Sequence, residues 1–113
     1  MSFSLSIKKS HSAVIPAGET VELNYTVIDN YSLFGCDYIA KNFNIGDHAR
    51  FEVWHPLEGK LDEFADLYVR DAMVYQFENK AHIPAGLIVR VIYNNIGPND
   101  VEFNMNILGN KIL

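Results

Sequence analysis

The chain says one phrase twice. Residues 13–25 read AVIPAGETVELNY and residues 81–93 read AHIPAGLIVRVIY, with identities at Ala13/Ala81, Ile15/Ile83, Pro16/Pro84, Ala17/Ala85, Gly18/Gly86, Val21/Val89 and Tyr25/Tyr93. Proline fixes φ, and a glycine two residues later can adopt positive φ, so Pro-Ala-Gly reads as a turn that redirects the chain. The residues after each turn alternate: Val21, Leu23, Tyr25, Val27 in one copy and Leu87, Val89, Val91, Tyr93 in the other. A period of two is the signature of a strand. The repeat therefore predicts two equivalent strands in similar settings, one in each sheet of a two-sheet protein.

The rest of the chain reads as strands laid beside these two. Residues 3–7 alternate, and Lys8 and Lys9 suit an edge. Residues 32–40 are apolar on both parities, as in a covered strand, and Gly35 within them suggests a bulge or close backbone approach. Residues 49–55, 72–77 and 101–107 add further alternating runs, the last with Val101, Phe103, Met105 and Ile107 inward. Only residues 57–67 suggest a helix: Leu57, Leu61, Phe64 and Ala65 fall on one helical face. The expectation is an all-β fold, a single antiparallel β-sandwich, jelly-roll-like, of about seven or eight strands with one short helical turn near 57–67. A chain of 113 residues makes one domain, 1–113, with residues 1–12 as an N-terminal arm and 108–113 as a C-terminal tail.

Composition narrows function mainly by exclusion. A net charge of −5 is wrong for a dedicated nucleic-acid binder, which must neutralise phosphates. No apolar stretch is long enough for a membrane-spanning helix. The lysines near the N-terminus come after the apolar residues and no continuous apolar run exists, so no signal peptide is read. The single cysteine, Cys36, excludes an internal disulfide, and a buried inert thiol is expected.

No catalytic residues are nominated. The chain has no nucleophile elbow, P-loop or dinucleotide fingerprint, and nothing selects two acids as a pair for glycoside hydrolysis. Asp47, His48, Glu52 and His55 are close in sequence, but strand alternation sends His55 to the face opposite His48 and Glu52. They do not make a converging zinc set. Glu58, Asp62, Glu63 and Asp66 lack the ligand spacing of a calcium loop and read as a solvated face. Acidic and amide side chains around Asp29, Asp47 and Asp100 could gather at one end of a sandwich around a structural calcium, but this is no motif. No cofactor and no metal site is assigned, and the chain is expected not to be an enzyme.

Two strands carry apolar residues on the parity that should face water. Ile88 and Ile92 are interrupted only by Arg90, and Trp54 lies on the polar parity of its own strand. Either the 57–67 connection or another subunit would cover them. Trp54, Ile88, Arg90 and Ile92 are therefore the interface candidates, and a homo-oligomer is expected.

The closing third, with Ile83 to Gly86, Arg90, Tyr93-Asn94, Gly97, Asp100-Val101 and the alternating Glu102 to Ile107, resembles small β-sandwich structural proteins of tailed bacteriophages. The resemblance implies a non-enzymatic virion protein made in the host cytoplasm: a capsid decoration (cement) protein or a neck or tail accessory. It would self-associate on a larger assembly and contact virion proteins such as the major capsid or tail proteins, with no nucleic acid and no membrane as partner. The competing class is a carbohydrate- or receptor-binding module using Trp54, with Tyr38 and Tyr68 as further aromatic candidates.

Overall fold

Eight strands and no helix make up the described residues of the computed structural model. Backbone is described for 4–112 and side chains for 12–112. The strands are β1 (Ser4–Ile15), β2 (Thr20–Thr26), β3 (Tyr31–Lys41), β4 (His48–His55), β5 (Gly59–Tyr68), β6 (Ala72–Ile83), β7 (Ile88–Asn94) and β8 (Val101–Ile112). They form two four-stranded antiparallel sheets, ordered β1-β8-β3-β6 and β2-β7-β4-β5. Inward residues from both, among them Ile15, Leu33, Phe51, Val89, Tyr93, Phe103 and Ile107, fill one core. Phe51, Phe64 and Phe77 pack on one another within it at tilted to edge-on angles, and Tyr38 and Tyr93 both pack against Phe103 in the same way.

The two copies of the repeated phrase do not occupy separate sheets. β2 and β7 lie side by side, with Val21 opposite Tyr93, Leu23 opposite Val91 and Tyr25 opposite Val89. The two Val–Tyr pairs thus exchange under a local two-fold at Leu23–Val91. The relation extends outward. Each Pro-Ala-Gly turn leads from a β1/β8/β3/β6 edge into the other sheet, with Gly18 at φ 72° and Gly86 at φ 94°. Ala17 donates its amide to Asp100 Oδ1 and Ala85 donates its own to Asn30 Oδ1, both at 2.9 Å. Asn95 N donates to the Glu19 carbonyl at 3.0 Å, and Val27 N donates to the Leu87 carbonyl at 2.8 Å. β1-β2-β3 and β6-β7-β8 are therefore matching halves, with β4 and β5 inserted between them.

Residues 57–67 are not helical: Gly59–Tyr68 is β5, paired along β4. Register shifts between Phe51/Glu52 and Val53/Trp54 leave Phe64 and Leu61 as extra residues of β5. Such bulges break the period of two, which is why the apolar spacing imitates a helix. Gly35 does mark a bulge, where a Cβ would meet the Tyr75 carbonyl oxygen at 2.5 Å. The stretches expected as arm and tail, where described, run as paired backbone: residues 4–12 against 104–112, with the far end of β8 also bonded to β3. Residues 1–3 and 113 of those stretches lie outside the described residues.

Candidate functional site: the outer face of the β2-β7-β4-β5 sheet

Alternation along β4 turns Ala49, Phe51 and Val53 into the core and His48, Arg50, Glu52 and Trp54 outward. On β7 the same rule puts Ile88, Arg90 and Ile92 outward. The register then sets Ile92 beside Arg50, Arg90 beside Glu52 and Ile88 beside Trp54. All four interface candidates thus share one face. Ile92 is only 6 % exposed; Glu22 and Arg50 flank it across the ladder.

Glu52 is the centre of this face and is 2 % exposed. Its Oε1 accepts the Trp54 indole N–H at 2.8 Å. Its Oε2 meets Lys60 Nζ at 2.8 Å and Arg50 Nε at 3.2 Å, and Arg50 also reaches Glu63 at 3.2 Å. Burial pushes the Glu52 carboxyl up, but hydrogen bonds from Lys60 and Trp54 and the charges of Lys60 and Arg50 outweigh it. The net result lies below the usual carboxylate range. The Arg90 guanidinium lies 4.0 Å from the centre of the Trp54 ring and donates to Asn24 Oδ1 at 2.8 Å. One face of the only indole is therefore already stacked.

Farther along the same face His48 Nδ1 lies 3.2 Å from Asp66 Oδ1. Tyr68 stands opposite His48 on β5 and is 75 % exposed. Leu67 joins these three in lining a recess of about 230 Å³. Tyr38, the other tyrosine among the aromatic candidates, is instead buried, its hydroxyl accepting the Arg70 amide at 2.9 Å. His55 turns away, its Nδ1 accepting the amides of Leu57 and Glu58.

A second polar centre was not legible as a unit. Asp47 is fully buried and accepts Tyr93 Oη–H at 2.7 Å and Asn44 N–H at 3.0 Å on Oδ2, and Ile96 N–H at 3.0 Å on Oδ1. Asn44 in turn donates to Asn95 Oδ1 and the Asn99 carbonyl. The Asp47 carbonyl also accepts Val69 N–H at 2.9 Å, and Asn95 Nδ2–H donates to the Ile15 carbonyl at 3.1 Å, so the centre ties together the turns after β1, β3, β5 and β7. The signal was present as two Asn-Ile-Gly triplets, 44–46 and 95–97, whose loops face one another. Asp29 does not join them; it sits beside Lys111 at 3.5 Å. The loops of Asp47 and Asp100 therefore meet at one end, and that of Asp29 lies apart from them. Among the described residues no group of three or more His, Cys, Asp or Glu is placed to hold a metal ion. No helix of the described residues is long and apolar enough to cross a membrane. Cys36 is fully buried, and burial together with the adjacent Asp37 charge pushes its thiol up to about 12.

These features define an all-β protein of two antiparallel four-stranded sheets. No family model matches the chain. No curated protein matches it either. It is similar to a solved chain from "Structure of infectious bursal disease virus Gx strain", with 12 % identity and a TM-score of 0.38 over 99 % of this chain and 31 % of that one. The chain spans less than a third of the length of that neighbour, and a likeness at this score carries no functional argument.

Proposed function

We propose that the two sheets form a jelly roll and that the chain is a non-enzymatic structural protein of a tailed-bacteriophage virion. Its role is that of a capsid decoration (cement) protein or a neck or tail accessory, self-associating and bound to other virion proteins. The observation that carries the fold reading is the strand order, β1-β8-β3-β6 against β2-β7-β4-β5. Each sheet alternates strands from the two ends of the chain, as an eight-stranded jelly roll requires, and that architecture recurs in viral capsid domains. The phage assignment rests on the motifs of the closing third, Ile83 to Gly86 and Tyr93 to Ile107. Many weak contacts summed over many copies would suffice for attachment. The test is to band purified particles from an infected lysate on a density gradient and probe the fractions for this chain. Co-banding with particles supports the reading; recovery only in the soluble fractions overturns it.

Jelly rolls also serve as lectins, and the exposed Tyr68 beside the His48–Asp66 pair favours a second reading, a carbohydrate- or receptor-binding module. Trp54 is the weaker platform because Arg90 covers one of its faces. A glycan array distinguishes the two readings: a hit abolished by Tyr68→Ala supports the module, and a blank array excludes it for the glycans displayed.

A further inference from the structure

The outward residues of the β2-β7-β4-β5 sheet end in one cross-strand rung. Thr20 stands opposite Asn94, Asn94 opposite His48, and His48 opposite Tyr68. Their chain neighbours Val21, Tyr93, Ala49 and Leu67 pack in the core, so all four point to the outer face. Elsewhere on this face the charged groups are engaged with one another: Arg50 and Lys60 with Glu52 and Glu63, and Arg90 with Glu22. In the rung, Thr20 Oγ1 donates to Asn94 Oδ1 at 2.7 Å. This leaves the Thr20 lone pairs and the Asn94 amide hydrogens unused among the described residues. His48 Nδ1 faces Asp66 Oδ1, and a carboxylate only accepts. Nδ1 therefore carries the proton, and Nε2 of the neutral ring is an acceptor. Tyr68 closes the row with an exposed ring beside the recess it shares with Leu67.

The rung is held from behind. Asn95 N–H donates to the Glu19 carbonyl, Val69 N–H to the Asp47 carbonyl and Ile96 N–H to the Asp47 carboxylate. The residues next to Thr20, Asn94, His48 and Tyr68 are thus joined through the buried polar centre of Asp47 and Asn95. Side chains on a bonded base lose little freedom when a ligand arrives. The row also sets a scale. Neighbouring strands lie about 4.8 Å apart, so four positions span roughly 14 Å. Each step is close to the length of one pyranose in an extended chain.

We infer that this rung binds a neutral, unbranched oligosaccharide of three or more pyranoses, laid across the strands from Tyr68 to Thr20. One sugar ring lies on the Tyr68 face at the recess, where its apolar side meets an aromatic surface. Sugar hydroxyls both donate and accept, so successive rings donate to His48 Nε2, accept from Asn94 Nδ2–H and donate to Thr20 Oγ1. None of these three contacts needs a charged ligand. An anionic sugar would meet the carboxylate of Asp66 beside Tyr68 and find no fixed positive charge in the row to offset it. Such a ligand presupposes the carbohydrate-binding reading, to which it adds a chemical class and a length.

Heteronuclear amide spectra of the full-length labelled chain test the site, with cellotriose, maltotriose and chitotriose each titrated against its own monosaccharide. At least one trisaccharide should move the amides of Thr20, His48, Asn94 and Tyr68 together. It should bind about tenfold or more tighter than its monosaccharide, through the added hydrogen-bonded positions. Thr20→Val removes the far hydroxyl and keeps the branched shape. It should weaken the trisaccharide about fivefold and leave the monosaccharide at Tyr68 unchanged. Tyr68→Ala should abolish both, and thermal melts verify that the variants fold. Equal affinity for trisaccharide and monosaccharide, with shifts confined to His48 and Tyr68, overturns the rung and leaves the carbohydrate-binding reading standing. A folded Thr20→Val that binds the trisaccharide as tightly as wild type does the same. No shift with any of the three trisaccharides at millimolar concentration also overturns the rung, and the glycan array then decides separately whether the carbohydrate-binding reading falls with it.

Discussion

Tyr93 donates its phenolic proton to Asp47 Oδ2 across 2.7 Å, and both residues are fully buried. The carboxylate is bound by neutral donors from two loops and a strand, so it acts as the knot of that end of the sandwich. Burial, the hydrogen bond to Asp47 and the Asp47 charge all raise the Tyr93 pKa, so the phenol remains a donor throughout the ordinary pH range.

Tyr93→Phe should cost about 1–3 kcal/mol, the cost of leaving a buried acceptor one bond short. Asp47→Ala should cost more, about 3 kcal/mol or above, because it orphans the phenol and the Ile96 and Asn44 amides together. Urea unfolding followed by Trp54 fluorescence measures both, and the order Asp47→Ala above Tyr93→Phe is the expected result.

Two glycines should respond differently to the same change. A Cβ on Gly97 would collide with Asn44 Cγ, inside the knot, whereas a Cβ on Gly18 meets nothing within 4 Å but sits at φ 72°. Gly18→Ala should cost about 1 kcal/mol of backbone strain. Gly97→Ala should cost about 1–3 kcal/mol and should also move the Asn44 side-chain amide resonances in a heteronuclear spectrum, which Gly18→Ala should leave in place.

The matching caps of the two Pro-Ala-Gly turns make a paired prediction. Asn30→Ala and Asp100→Ala each remove one bond to a turn amide, from Ala85 and Ala17 respectively. Each should cost about 0.5–1.5 kcal/mol. Because the turns lie at opposite ends, the double variant should equal the sum within about 0.5 kcal/mol. Thermal or urea midpoints of the four proteins check it.

Glu52 should make the outer face acid-sensitive. Its folded pKa lies below the usual value, so the native state favours the charged form. Its contribution is complete above the unfolded pKa of about 4.3 and disappears as pH falls through the folded value. Wild-type stability should therefore fall between about pH 5 and pH 3 more steeply than that of Glu52→Gln. At neutral pH the variant should be weaker by about 1–3 kcal/mol, the worth of charge-assisted bonds. Stability curves against pH on both proteins measure the difference in slope.

Strands were legible in the sequence where one face met the core and the register was regular. The alternation of Val101, Phe103, Met105 and Ile107, and the Pro-Ala-Gly strands, read directly as β8, β2 and β7. β5 did not, because the two extra residues Leu61 and Phe64 changed its spacing from two toward that of a helix. Which sheet a strand joins was not legible either, since alternation fixes a face and says nothing of the neighbour. The repeat was therefore expected in two sheets and lies in one. On the candidate site, the outward placement of Trp54, Ile88, Arg90 and Ile92 came from parity alone. The buried Glu52 between them did not, because a carboxylate on the solvent parity gives no sign that Trp54, Lys60 and Arg50 will close over it.

The outward placement of Arg90 and both isoleucines goes with the pairing of β2 and β7 through Leu23 and Val91, since a slip of one residue would turn all three into the core. Bonds at Val27–Leu87 and Glu19–Asn95 make the odd-numbered positions of β2 the hydrogen-bonded ones, so the residues between them bring their α-protons close. The direct measurement is a nuclear Overhauser spectrum of the labelled chain. Strong Hα–Hα contacts are expected for Glu22 with Ile92 and for Asn24 with Arg90. Contacts displaced by one residue, or contacts from β2 to any strand other than β7, would contradict the pairing.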